Sequence, residues 1–193
     1  MSRRYVSARR SARVGVAGLV LGGAYALVAR GSLTLDVGIG RRVRPLGPLE
    51  ARIAAPRETV FDVVAAPYLG RTPRALASKL RVLERGEDLV LAEHFTPVGR
   101  LTAVTLETVS FERPSRIGFR LVRGPVPHVT EEFALEEVDG SAATRLVYRG
   151  ELGTDLWGVG GLWGAVVARR WEQVVSASVE SIRIEAERRS AGR

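Results

Sequence analysis

Two acid–base side chains stand out from their spacing. After His128, the residues Val129, Glu131, Phe133 and Leu135 alternate with His128, Thr130, Glu132 and Ala134, and further on Leu146, Tyr148 and Leu152 recur with the same period of two. Successive strand side chains point to opposite faces, so Glu131 and Tyr148 fall on the apolar faces of neighbouring strands. A carboxyl held among apolar groups has its pKa raised. It can then orient a ligand hydroxyl or act as a general acid or base, with Tyr148 as its hydrogen-bond partner. Glu131 and Tyr148 are therefore the catalytic candidates. The competing, purely structural reading puts Glu131 at a rim or in an ion pair with an arginine such as Arg120 or Arg149.

Little else in the chain suggests chemistry. His94 and His128 are the only histidines, cysteine is absent, and no ligand cluster surrounds either ring, so no metal is expected and both histidines read as structural. Gly158, Gly160, Gly161 and Gly164 do not follow the G-x-G-x-x-G spacing and lack a parallel βαβ context; they read as room for Trp157 and Trp163 to pack. No phosphate-binding loop or serine nucleophile elbow occurs, and no cofactor is expected.

The elements that must carry these side chains are legible. Leu49, Ala51 and Ile53 alternate with Glu50 and Arg52 as in a half-buried strand. Pro56, Glu58 and the apolar set Val60, Phe61, Val63 and Val64 then open a helix that Ala66-Pro67 ends, with a second short helix somewhere in 68–78. Turn signals at roughly ten-residue spacing, Asp139-Gly140 among them, delimit six strands near 79–85, 89–96, 100–112, 116–123, 128–138 and 142–152. From Trp157 to about Arg188, Trp163, Val167, Trp171, Val174, Val175 and Ile182 form an apolar stripe of helical period, with Thr154 or Asp155 as N-cap and Glu185–Arg189 as an i,i+4 pair.

Charge is distributed unevenly. The formal charge is +8 for 193 residues, and the stretch up to Arg44 holds nine arginines against the single acid Asp36, leaving the remainder neutral. A neutral domain lacks the single-sign surface that binding to backbone phosphates requires, so nucleic acid is not expected as a partner. Five of those arginines precede Val14–Ala29, sixteen residues without a charge. As a helix this run measures about 24 Å, short of the ~30 Å hydrocarbon slab unless Gly31–Leu35 continue it past a snorkelling Arg30. The expectation is an uncleaved signal-anchor helix over 14–35. A cleaved signal peptide, and a helix lying in the membrane surface or packed on the domain, are the alternatives. Five arginines before the run against four after it lean toward an N-terminus in the cytoplasm and a domain outside, a margin of one that leaves the side open. Residues 36–47, rich in Gly, Pro and Arg, read as a linker.

The opening Ala55-Pro56-Arg57-Glu58-Thr59-Val60-Phe61-Asp62-Val63, the six-strand meander and the long last helix resemble the SRPBCC superfamily, which holds START domains, Bet v 1 and polyketide cyclase/dehydrase-like proteins. The likeness covers about residues 48–190, preceded by the basic segment 1–13. The runs Arg123–His128 and Gly150–Trp157 resemble those of a membrane-anchored bacterial subgroup. The resemblance implies an α+β helix-grip fold, a curved antiparallel sheet around a long C-terminal helix, with a cavity for lipids, polyketides, quinones or similar apolar ligands. With such a cavity, Phe119, Leu121, Val129, Glu131, Phe133, Tyr148, Trp163, Val167 and Trp171 are the expected ligand-binding residues. Three functions follow as expectations: a binding module for a hydrophobic small molecule or lipid at the bacterial cytoplasmic membrane, a cyclase or dehydratase, or a quinone-binding chaperone.

Overall fold

The computed structural model describes residues 23, 26–138 and 142–192. Among the described residues from Arg42 onward there are seven strands and two helices: β1 (Arg42–Ile53), α1 (Arg57–Leu69), β2 (Leu80–Arg85), β3 (Leu89–Val98), β4 (Leu101–Glu112), β5 (Arg116–Arg123), β6 (His128–Glu137), β7 (Thr144–Thr154) and α2 (Trp157–Ala191). A 3-10 turn at Arg74–Leu76 leads into β2. The sheet order is β1-β7-β6-β5-β4-β3-β2 and every neighbouring pair is antiparallel. This is the α+β, helix-grip architecture expected from the sequence.

Alternation builds the inner face of the sheet. In β4, Ala103, Thr105, Glu107 and Val109 are buried while their odd-even neighbours are not, and β5 and β6 bury Ile117 with Phe119 and Val129 with Phe133 in the same way. Across this face runs a ladder of rings. Phe111, Tyr68, Phe119, Phe133 and Tyr148 meet in sequence with centroids 5.6–6.1 Å apart, mostly edge-on or tilted as ring quadrupoles favour. The long helix α2 turns Val167, Ala168, Val175, Val179 and Ala186 inward. Its backbone runs closest to β1, β7 and α1, so the span to the strands beyond β7 is crossed by long side chains, chiefly Trp163 and Trp171.

Several expectations need correction. Pro67 does not end α1, which runs on to Leu69; a proline in the last turn forfeits one intrahelical hydrogen bond, and Gly70 N–H still donates to Ala66 O at 3.0 Å. Neither Thr154 nor Asp155 caps α2. Thr154 belongs to β7, and Leu156 precedes the helix in the left-handed region at φ 69°. The i,i+4 pair Glu185–Arg189 is present at 2.7 Å.

The N-terminal expectations differ most. Of the helix expected over 14–35, residues 14–22, 24 and 25 lie outside the described residues, as does the Asp139-Gly140 turn. Helix persists only to Ala29, and Gly31 then turns the chain at φ 70°, with Val104 N–H donating to Arg30 O at 2.8 Å. Gly31–Leu35 therefore do not lengthen it, because a hydrogen bond to Val104, near the start of β4, captures the backbone first. No helix among the described residues is long and apolar enough to cross a membrane. The stretch 36–47 is not a free linker either. Asp155 accepts from Val37 N–H, Gly38 N–H and Arg41, and Arg42–Leu46 pair with Thr154–Gly150 before the register shifts at Gly47.

Two glycines test this packing directly. A Cβ on Gly160 would sit 1.6 Å from Asp155 O, whereas one on Gly158 would meet nothing within 4 Å. In urea denaturation, Gly160→Ala is expected to lose about 1–3 kcal/mol. Gly158→Ala is expected to be neutral or to gain up to about 1 kcal/mol from helix propensity.

Candidate functional site

The centre of the inner face is polar in two places. The first is Glu131. Its neighbour across the β6–β7 ladder is Gly150, where any Cβ would stand 2.8 Å from Glu131 Cβ, so the glycine clears the space the carboxyl needs. One oxygen, Oε2, accepts from Tyr148 OH at 2.6 Å and from Trp171 Nε1–H at 2.6 Å. No protein donor among the described residues reaches Oε1. The residue keeps partial accessibility although strands and helix enclose it. Burial, and after it the charge of Glu107, push its pKa up to about 7 against the opposing hydrogen bonds from Tyr148 and Trp171.

The second place lies across the ring ladder. His94 and Thr105 face each other in the β3–β4 ladder. Thr105 Oγ1 donates to Glu107 Oε1 at 2.6 Å, His94 Nδ1 stands 3.2 Å from Glu107 Oε2, and His94 Nε2 is 2.9 Å from Tyr68 OH. Burial disfavours the charged form of both, yet each stabilises the other: Glu107 is held below the usual carboxylate range and His94 above the usual imidazole value. With His94 protonated, Nε2–H donates to the Tyr68 oxygen, which leaves the phenol proton free to point at a ligand. Burial and the two glutamates raise the pKa of Tyr68, keeping it a donor.

Phe119 separates the two places, paired with Glu131 on one side and 6.0 Å ring-to-ring from Tyr68 on the other. The site thus offers a carboxyl of near-neutral pKa, a phenol hydrogen-bonded to the His94 ring, and apolar rings between them. That set can hold a mostly apolar molecule by two polar groups, and it can exchange a proton at Glu131.

The residues expected around a ligand separate into three groups. Glu131, Tyr148 and Trp171 are joined directly. Phe119 and Phe133 continue from Tyr148 in the ring ladder, and Val129 and Val167 are buried in the same core. Leu121 and Trp163 sit toward the turn after β5, where Trp163 Nε1–H donates to Pro125 O at 2.8 Å. The arginine partnership for Glu131 does not occur: Arg149 and Arg120 occupy the alternate, outward positions. His128, outside as expected, meets Glu151 at 2.9 Å. The reading of His94 as merely structural missed its cluster, although Thr105 and Glu107 share the alternation of Ala103, Val109 and Phe111. Among the described residues no group of three or more metal-ligating side chains converges.

The raised value of Glu131 has a sign that can be measured. An acid whose folded pKa exceeds its ordinary 4.5 binds a proton on folding between the two values, so this contribution to stability is complete below pH 4.5 and is lost as the pH rises through about 7. Thermal or urea unfolding of Glu131→Gln across pH 4–8 should show the variant gaining on the parent by about 3 kcal/mol over that window, apart from a constant offset. A difference that does not change with pH would contradict the assignment.

Comparison with known proteins agrees with this architecture. Residues 49–187 match the family described as polyketide cyclase / dehydrase and lipid transport. No curated protein matches. Among solved structures, the Zhui aromatase/cyclase from Streptomyces superposes with a TM-score of 0.61 at 18% identity, covering 77% of this chain and 95% of that one. A Thermus thermophilus protein gives 0.58 at 16%, covering 77% and 99%. Norcoclaurine synthase from Thalictrum flavum, in complex with dopamine and hydroxybenzaldehyde, gives 0.56 at 13%, covering 74% and 84%. At these identities the likeness is one of fold, whereas the family match spans most of the domain: the chain belongs to the family described as polyketide cyclase / dehydrase and lipid transport.

Proposed function

We propose that this chain binds a hydrophobic small molecule or lipid between α2 and the concave face of the sheet, with Glu131 as the group that orients it. The observation that carries the reading is the Glu131 carboxyl itself. One oxygen is committed to Tyr148 and Trp171 while the other meets no protein donor among the described residues, in a wall otherwise made of Phe119, Phe133 and aliphatic side chains. An apolar wall with few convergent polar groups is how small-molecule sites are built. The resemblance to START/Bet v 1-like proteins implies such a ligand, and one neighbour in fold, norcoclaurine synthase, is in complex with dopamine and hydroxybenzaldehyde. The apolar run Val14–Ala29 behind five arginines is the proposed membrane attachment, at the bacterial cytoplasmic membrane with the domain on the extracytoplasmic side.

A second reading has its own support. Glu131, near neutral pKa, and the Tyr68–His94–Glu107 relay flank Phe119 as an acceptor and a donor, which suits proton transfer in a cyclase or dehydratase acting on a bound polyketide-like molecule.

Titration of the purified chain with the neutral apolar probe N-phenyl-1-naphthylamine separates the possibilities. Saturable binding near one equivalent, with quenching of Trp171 fluorescence, is expected, and Glu131→Gln should keep it within a few-fold. Non-saturable uptake would sink the binding reading. Turnover of a polyketide-like substrate that Glu131→Gln abolishes while probe binding survives would favour the enzyme.

A further inference from the structure

The large apolar side chains left exposed are not scattered. Eleven of the sixteen among the described residues fall in two short stretches, Leu27–Val43 and Leu156–Val166. In the first, the chain runs as an extended strap, and Leu33, Leu35, Val37 and Ile39 all face outward. The intervening residues tie the strap down: Thr34 exchanges hydrogen bonds with Gly124 O and N–H, and Asp36 pairs with Arg41. This inverts the usual pattern, in which the apolar side of an extended segment turns toward the core. In the second stretch Val159, Leu162 and Val166, 74%, 75% and 62% exposed, follow one stripe of α2 at steps of three and four.

The two stretches form one face. Leu156 and Trp157 N–H donate to Ile39 O and Gly40 O, Trp157 lies against Gly40, and Asp155 grips Val37, Gly38 and Arg41. Further along, Thr34 and Trp163 both bind the Gly124-Pro125 turn. A contiguous apolar face on a folded domain marks an interaction site.

Its occupant is indicated by what surrounds it. From Trp157 to Arg170 no acid occurs, and the stripe gives way at its next turn to the exposed Arg169 and Arg170, while Arg42 and Arg44 flank the strap. Val159 to Val166 span about 10 Å of helix. An apolar stripe beside exposed arginines is the pattern of a face that enters a bilayer surface by ~5–10 Å with its arginines at headgroup level. The chain path adds a second argument. The apolar run ends at Ala29, and Arg30 is already hydrogen-bonded to Val104 of the domain, so no slack separates the run from this face.

We infer that the face formed by the strap Leu33–Ile39 and the first turns of α2 docks on an anionic lipid bilayer, with Trp157, Val159, Leu162 and Val166 entering its surface. This rests on the membrane attachment proposed above and is independent of any interior ligand.

The absence of cysteine allows single labels. The full chain carrying Leu162→Cys, or Ile184→Cys near the far end of α2, is labelled with an environment-sensitive nitrobenzoxadiazole and mixed with phosphatidylglycerol/phosphatidylcholine vesicles, with sedimentation reporting attachment. The expected result is co-sedimentation, a several-fold intensity rise with a blue shift at position 162, quenching there by nitroxide lipids, and no change at position 184. Co-sedimentation with an aqueous label at 162 would overturn the docking face while leaving attachment intact. A label at 162 already dry before vesicles are added would overturn it in favour of cover by the chain's own N-terminal segment or a second copy. Failure to sediment would remove the attachment reading and this proposal together.

Discussion

A carboxyl group in an apolar interior must be neutralised, paired or hydrogen-bonded, and on the inner face of the sheet Glu107 and Glu131 solve the problem in opposite ways. Glu107 keeps its charge because His94 and Thr105 compensate it. Glu131 forms no ion pair among the described residues, and the retained charge of Glu107 adds to its burial in driving it toward the protonated form. Two titratable groups with similar intrinsic acidity are thus pushed apart by their surroundings, the arrangement that lets one fold hold both a fixed charge and an exchangeable proton. Glu131 is also structural: its Oε2 gathers donors from β7 and from α2, so one atom ties the sheet to the helix that closes it.

The same helix is fixed at its start by another carboxylate. Asp155, held down to about 2 chiefly by its hydrogen bonds to Arg41, also accepts from two strap amides. Leu156 and Trp157 then adopt positive φ, an arrangement that costs on the order of 1 kcal/mol or more per residue. Hydrogen bonds from both residues to Ile39 and Gly40 oppose that strain. The strap, the β7–α2 junction and the outward stripe of α2 therefore form one unit, which links the path of the N-terminal chain to the surface the domain presents.

Much of this arrangement could be read from local patterns. Period-two alternation located Glu131 and Tyr148 on adjoining inner faces, and the three-and-four spacing of Trp163, Val167 and Trp171 identified the stripe of α2 that meets them. What escaped depends on register. That His94 faces Thr105, or that Trp171 reaches Glu131, follows from how strands and helix slide against one another, and alternation within a single strand does not contain that information. Tyr68 was lost to a proline rule that the last turn of α1 tolerates breaking. The strap was hidden by its composition: Gly, Pro and Arg suggest a linker, yet the backbone of 42–46 finds β7 more than a hundred residues away and becomes an edge strand.

The Glu131 carboxyl lies in an apolar interior shared by sheet and helix, where its protonated and ionised forms are nearly balanced around neutral pH. Carbon-13 NMR of the glutamate side-chain carboxyls, with the Glu131 resonance assigned by its loss in Glu131→Gln, measures this directly. A Glu131 resonance titrating near pH 7 is the expected result. Titration of Glu131 at the ordinary value of about 4.5 would contradict it.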